Sequence, residues 1–107
     1  MSMDRVFKAL GDPTRRRLLD RLHDRNGQTL GELCKQMGMT RQAVSKHLAI
    51  LEDANLVVAI KKGREKEHFL NAVPIKNIAE RWINKYEHGR LKALSDLKNQ
   101  LEGETNE

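Results

Sequence analysis

The segment TRQAVSKHLAILEDANLV, residues 40–57, separates apolar from polar side chains at helical spacing. Its apolar face is made of Val44, Leu48 and Leu51, widened by Ala43, His47 and Ile50. Its polar face is made of Arg41, Gln42, Ser45, Lys46 and Ala49. Arginine and glutamine can pair with base edges, serine and lysine can bind phosphate, and a small alanine permits close approach to a thymine methyl group. The polar face therefore has the chemistry to contact a DNA major groove, although an isolated amphipathic helix could equally present it to solvent.

A short helix and a tight turn are predicted immediately before this segment. Thr29 and Glu32 have the spacing of a capping box, and apolar residues then recur helically as far as Gly38. Those apolar residues are Leu30, Leu33, Cys34 and Met37. Thr40 is a suitable N-cap for the helix that follows. Two helices joined by a glycine-containing turn, with a polar N-terminal face on the second, predict a helix-turn-helix.

A basic β-hairpin is predicted after the second of these helices. In LVVAIKKGREKEHFLN, residues 56–71, two strand-like runs flank a turn centred on Gly63. The tip carries Lys61, Lys62, Arg64 and Lys66. A helix-turn-helix followed by such a hairpin is a winged helix, whose wing can touch an adjacent groove or the DNA backbone. The predicted DNA contacts are therefore Thr40, Arg41, Gln42, Ser45, Lys46, His47, Lys61, Lys62, Arg64 and Lys66, with His47 in a supporting role.

Helices are also predicted at both ends of the chain. Residues 3–10 form a short apolar pattern that stops at Gly11, and a second helix begins at Asp12 and Pro13. From residue 74 to about residue 102, apolar residues recur at helical spacing, and a polar tail follows over residues 103–107. The leucines of this last helix need an apolar partner, most simply another copy of the chain. The predicted dimer interface consists of Val6, Phe7, Leu10, Trp82, Leu91, Leu94, Leu97 and Leu101.

The composition bounds the size and class of the protein. A chain of 107 residues favours a single domain, here residues 1–102, and a formal net charge of +5 favours an anionic partner. One cysteine excludes an intramolecular disulfide. The sequence contains neither a signal-peptide pattern nor an apolar run long enough to cross a membrane, so we expect a cytoplasmic protein with no membrane partner. The expected fold is mainly α-helical with a small β-hairpin.

No pattern in the sequence predicts catalysis, a cofactor or a metal site. Glycine-rich phosphate loops, paired metal ligands and nucleophile–base motifs are missing. Cys34 lies on an apolar helical stripe and is predicted to be a core residue, with a redox-active thiol as the alternative. We therefore expect a binding protein and not an enzyme.

Several polar and aromatic residues have ordinary structural interpretations. The histidines at positions 23, 68 and 88 are expected at exposed or satisfied surface positions, and the three arginines of residues 15–17 are expected in solvent. Trp82 and Tyr86 are one helical turn apart, which predicts packing in the core or in a dimer seam. An aromatic ligand pocket is the alternative for this pair.

The segments FKALGDPTRRRLLDRL and LGELCKQMGMTRQAVSKHLAILEDANLV, together with the hairpin, resemble the ArsR-type (arsenical-resistance repressor) winged-helix regulators across residue 3 to about residue 70. The resemblance implies a homodimeric bacterial repressor of double-stranded DNA. It also implies that the helix from Thr40 enters the major groove, that the hairpin is the wing, and that the first and last helices form the dimer interface. Metal-sensing relatives carry a second cysteine two residues after the position of Cys34, where this chain has Gln36. The resemblance is therefore to a subgroup without the metal-binding cysteine pair, and it leaves the inducer open.

Several functions remain open at this level. The first is a DNA-binding repressor dimer, favoured by the basic hairpin and by the polar face of residues 41–49. The others are a winged-helix module that binds proteins, a redox-responsive regulator that uses Cys34, and a catalytic domain without a recognisable motif. The operator and the regulated genes do not follow from the sequence.

Overall fold

The computed structural model describes residues 3–86 and 92–105. Its elements are, in chain order, α1 (Met3–Leu10), α2 (Pro13–Asp24), β1 (Gln28–Thr29), α3 (Leu30–Met37), α4 (Arg41–Asp53), β2 (Val57–Lys62), β3 (Glu65–Leu70), α5 (Val73–Tyr86) and α6 (Lys92–Thr105). The predicted mainly helical fold with a small β-hairpin is confirmed. No helix in the described ranges combines the length and apolar character needed to cross a bilayer.

The chain divides into two compact units, residues 1–75 and residues 76–107, where the sequence predicts one domain over residues 1–102. The first unit has its own apolar core, which comprises Val6, Ala9, Leu18, Leu19, Leu22, Leu33, Met37, Val44, Leu48, Leu51, Ala54, Leu56 and Val57. The second unit contains α6 and most of α5, and α6 continues to Thr105, past the predicted start of the polar tail.

The start of α2 is capped by the side chain of Asp12. Its carboxylate accepts hydrogen bonds from the backbone N–H groups of Thr14 at 2.8 Å and Arg15 at 3.3 Å, and Pro13 occupies the first helical turn. Desolvation raises the pKa of this carboxyl, but these two hydrogen bonds and the charge of the Arg15 guanidinium outweigh it, so the pKa of Asp12 is lowered. The cap is therefore formed by a carboxylate that stays ionised at neutral pH.

The predicted helix-turn-helix corresponds to α3 and α4. Thr29 and Glu32 form the reciprocal capping box at the start of α3, and Gly38 ends that helix in the left-handed conformation at φ 63°. The Thr40 side chain then accepts a hydrogen bond from the backbone N–H of Ala43 at 3.2 Å and so caps α4. Because each boundary depends on local hydrogen bonds, the sequence pattern predicts it well.

The sheet contains a strand that the sequence pattern does not predict. The short strand β1 pairs with β3, so the sheet is three-stranded and antiparallel with the order β1-β3-β2. Gln28 of β1 is fully buried, and its side-chain NH₂ donates to the carbonyl oxygens of Arg21 at 2.9 Å and Arg25 at 2.6 Å. Its side-chain oxygen accepts a hydrogen bond from Gln36. A strand of two residues has no alternation to detect, and the strand with which it pairs, β3, lies far along the chain at residues 65–70.

Replacing Gln28 by alanine is expected to lower the free energy of unfolding by about 1–3 kcal/mol, because the part-buried carbonyl of Arg25 loses its side-chain donor. The carbonyl of Arg21 loses the same donor and keeps the backbone N–H of Arg25. Urea unfolding followed by circular dichroism measures this change. The matched control is Gln100→Ala, since Gln100 is exposed on α6 and its loss should change stability by less than about 0.5 kcal/mol. Equal effects of the two substitutions would contradict the role given to Gln28.

Candidate nucleic-acid interface

The polar face of α4 is exposed as predicted. Thr40, Arg41, Gln42, Ser45 and Lys46 are all exposed at the N-terminal half of the helix. The opposite face is fixed by the buried side chains of Val44, Leu48 and Leu51. Burial of that face leaves the polar side chains directed away from the core, where they can meet a ligand.

His47 lies at the edge of this face and is held from below by Arg15. The Arg15 guanidinium donates to the carbonyl oxygens of Ala9 at 2.7 Å and Lys8 at 2.9 Å, and its Nη1 lies 3.4 Å from His47 Nδ1 and 3.9 Å from Asp12 Oδ2. Because a guanidinium can only donate, His47 Nδ1 must be the acceptor. The side chain of Arg15 is only 12% exposed, so the prediction that it lies in solvent is wrong. Its partners come from α1, from α4 and from the residue that caps α2, and the local sequence does not reveal the first two.

The hairpin formed by β2 and β3 presents the predicted basic tip. Lys61, Lys62, Arg64 and Lys66 are all exposed. The turn is made by Gly63 at φ 63°, a left-handed conformation that glycine adopts readily. Lys61 lies directly opposite Lys66 in the strand register, an arrangement of like charges that is unfavourable without an anion. Lys62 differs from the other three, because its Nζ lies 3.8 Å from Glu67 Oε1.

A cleft of about 380 Å³ lies between α4 and the hairpin, and the start of α3 also borders it. Its lining includes Arg41 and Ser45 from α4, Arg64 and Lys66 from the hairpin, and His68 at the base of the hairpin. We call this space the α4–hairpin cleft. His68 is only 6% exposed, so the prediction of a surface position is wrong. It was missed because β3 turns this residue inward against β1, a strand that the pattern does not predict.

The cysteine and the remaining histidines, which could take part in redox or metal chemistry, do not come together in one site among the described residues. Cys34 is half-buried on α3 and has a free thiol, while His23 is exposed next to Asp24 on α2. Within residues 3–86 and 92–105, no group of three or more histidine, cysteine or acidic side chains could hold a metal ion. His88 lies outside the described residues.

The predicted dimer residues fall into different environments. Val6 is 1% exposed and belongs to the core of the first unit, whereas Phe7 is 40% exposed and Leu10 is half-buried. In the second unit, Trp82 on α5 is half-exposed, and the leucines of α6 are 51–54% exposed. Those leucines are Leu94, Leu97 and Leu101, which we call the α6 stripe. Leu91 lies outside the described residues.

Comparison with known proteins matches this chain to helix-turn-helix regulators. The helix-turn-helix domain family matches residues 10–59. The HTH-type transcriptional regulator YuzN of Bacillus subtilis is 46% identical over 86 residues, covering 75% of this chain and 94% of that protein. The transcriptional repressor SdpR of the same organism is 32% identical over 82 residues, covering 77% of this chain and 90% of SdpR.

Structural similarity extends further along the chain. An ArsR-like transcriptional regulator from Rhodococcus is similar with a TM-score of 0.74 at 30% sequence identity, covering 94% of this chain and 91% of that one. The chain belongs to the ArsR-type winged helix-turn-helix transcriptional regulators. In this regulator α3 and α4 are therefore the helix-turn-helix, α4 is the recognition helix and the hairpin is the wing. Family membership also confirms the prediction of a DNA-binding regulator and not an enzyme.

Proposed function

We propose that the regulator is a homodimeric repressor that reads an inverted-repeat operator through the N-terminal half of α4. The observation that carries this proposal is the exposed polar face at the start of α4, set beside a basic hairpin. Arg41 can donate hydrogen bonds to base edges and Gln42 can both donate and accept them, while Ser45 and Lys46 suit phosphates. His47, held by Arg15, supports this face from its edge.

Repression is supported by the similarity to SdpR, which is described as a transcriptional repressor. Such a repressor acts by occupying its operator, which blocks the access of other proteins to that DNA. This action needs no catalytic or activating domain. The redox alternative based on Cys34 has less support, since the thiol is a single half-buried group on α3.

Dimerisation is supported by the exposed apolar side chains of the second unit. Ile83 on α5 and the α6 stripe each leave about half of their surface in solvent in the single chain. Apolar helical stripes of this kind are usually covered by a partner helix. In a two-fold dimer the two recognition helices should meet half-sites about 34–36 Å apart, or a multiple of that spacing. Phe7, Leu10 and Trp82 remain predicted members of the interface, whereas Val6 can contribute only through the core.

Selection of DNA fragments by the purified protein, followed by sequencing, tests the operator. The proposal predicts enriched fragments that share an imperfect inverted repeat with half-site centres about one helical turn apart, or a multiple of it. Enrichment of a single unrepeated half-site would contradict the dimeric operator, and the absence of any enriched motif would contradict sequence-specific reading by α4.

The wing is expected to contact phosphates, and its residues should contribute unequally. Arg64→Ala should weaken binding to all duplexes and flatten the dependence of log affinity on log salt by about one unit, since one phosphate contact is lost. Lys62→Ala should act in the same direction with a smaller effect, because Lys62 is already paired with Glu67. Duplex titrations across a salt series measure both effects. A loss confined to one DNA sequence, or a larger effect of Lys62→Ala, would contradict this assignment.

A further inference from the structure

His68 is held in one orientation by the backbone of β1. Its Nδ1 lies 2.9 Å from the carbonyl oxygen of Gln28, and the side chain is almost fully buried. A carbonyl oxygen can only accept, so Nδ1 must carry the hydrogen. In the neutral imidazole, the other ring nitrogen, Nε2, therefore has a lone pair and no hydrogen.

His68 is one of the residues that line the α4–hairpin cleft. Among the described residues, the ring makes no hydrogen bond besides the one at Nδ1. Every fully buried side-chain nitrogen or oxygen of the described residues has a hydrogen-bond partner. Because Nε2 has no such partner, it must be accessible to solvent, and the space that His68 lines is the α4–hairpin cleft. A neutral Nε2 could only accept a hydrogen bond there, whereas a protonated imidazolium could donate one to an anion.

The charges around the cleft favour an anion of limited size. Arg41, Arg64 and Lys66 line it, and none of them forms an ion pair with another described residue. The carboxylates of Glu52 and Glu65 also border the cleft and offset part of this positive charge. An added proton on His68 would strengthen the positive side, and the hydroxyl of Ser45 offers a further donor.

We propose that the α4–hairpin cleft binds one phosphate group and that His68 takes up a proton at Nε2 when the phosphate enters. The proposal rests on the proposed DNA-binding function, because the cleft lies between the recognition helix and the wing, where a DNA backbone phosphate would pass. A free phosphate ion offers the same chemistry and is distinguished by the experiment below. The proton moves from solvent to Nε2, where it is shared in a charge-assisted hydrogen bond with a phosphate oxygen.

This coupling makes DNA affinity depend on pH with a definite sign. Since the protonated imidazole binds phosphate and the neutral one does not, affinity should rise as the pH falls. By linkage, bound DNA should also raise the pH at which His68 loses its proton. Both effects belong to His68 and should persist when His47, the other histidine close to the DNA-binding face, is replaced.

The first test measures duplex affinity at about pH 8 and about pH 5.5, a range that spans ordinary histidine titration, at constant ionic strength. The wild-type chain and the His47→Gln variant should both gain about tenfold in affinity at the lower pH, as expected for a hydrogen bond to a charged group. In His68→Asn, the side-chain NH₂ can still donate to the Gln28 carbonyl, but Nε2 is lost, and the gain should fall below about threefold. An equal gain in wild type and His68→Asn would overturn the proposal.

The second test uses the wild-type chain and therefore does not depend on how the variant folds. NMR of labelled imidazole groups follows the titration of His68 alone, with a duplex, and with inorganic phosphate. A titration midpoint raised by the duplex supports the proposal with DNA as the source, and a midpoint raised by inorganic phosphate supports it with free phosphate. A duplex that binds without moving the midpoint, with phosphate also inactive, would overturn it. If no duplex binds at either pH, the proposed DNA-binding function fails, while the phosphate titration still decides whether the cleft is an anion site.

Discussion

Gln42→Ala is expected to weaken binding to the operator by about 1–3 kcal/mol and to relax the preference for the base that Gln42 contacts. Gln42 is exposed in the first turn of α4, on the face left free when Val44 and Leu48 pack into the core. An amide can accept and donate at one base edge simultaneously, so its loss removes discrimination as well as affinity. The measurement is a titration of the selected operator and of single-base variants of it.

The matched comparison for this result is Lys46→Ala on the same helix. Lys46 is exposed next to Ser45 and has the chemistry of a phosphate contact, so its loss should weaken all duplexes by a similar factor. Base preference should stay the same in that variant. If Gln42→Ala lowered the affinity for every duplex equally, or left binding unchanged, Gln42 would have no role in reading bases.

Replacement of the α6 stripe by serine, in the variant Leu94→Ser, Leu97→Ser, Leu101→Ser, is expected to convert the dimer into a monomer at micromolar concentration. Each of these side chains is 51–54% exposed in the single chain. Replacing them by serine removes the apolar surface that a partner helix would bury, and with it the hydrophobic stabilisation of the dimer. Operator binding should weaken strongly, because a monomer engages one half-site and loses the gain from simultaneous binding of two. Sedimentation velocity measures the assembly state directly.

A control on the opposite side of α6 separates this effect from loss of the helix. Lys92 and Asn99 are exposed on that side, and the double variant Lys92→Ser, Asn99→Ser should remain dimeric. A dimer that survives removal of the stripe would show that other surfaces hold the two copies together. A wild-type chain that sediments as a monomer would contradict the proposed dimer itself.

The parts of the fold that follow from the sequence are those set by neighbours along the chain. Asp12, Thr29 and Thr40 each satisfy backbone N–H groups within three residues, and Gly38 needs only its own backbone freedom. These residues therefore mark the helix boundaries without knowledge of the tertiary structure. The polar face of α4 is predictable for the same reason, because it is the complement of a local apolar stripe.

The parts that do not follow are set by residues far apart in the sequence. Gln28 is buried in β1, a strand that exists only because it pairs with β3, and His68 is buried because β3 pairs with β1 forty residues earlier. Arg15 leaves solvent because α1 and α4 supply its acceptors. A polar residue with distant partners carries no periodic signal, so composition alone assigns it to the surface. Of these three residues, His68 lines the α4–hairpin cleft, and its burial there is what points to the cleft as a site.

The most direct test of the DNA-binding interface is the affinity of the full chain for a double-stranded duplex, measured from about 50 to about 400 mM salt. The exposed Lys46, Lys61, Arg64 and Lys66 should each displace counterions from the backbone. We predict that log affinity falls with log salt at a slope of about −3 or steeper, as expected for three or more phosphate contacts at about −0.9 each. A chain that fails to bind the duplex at the lowest salt, or whose affinity does not change with salt, would contradict the assignment of α4 and the hairpin as a DNA-binding surface.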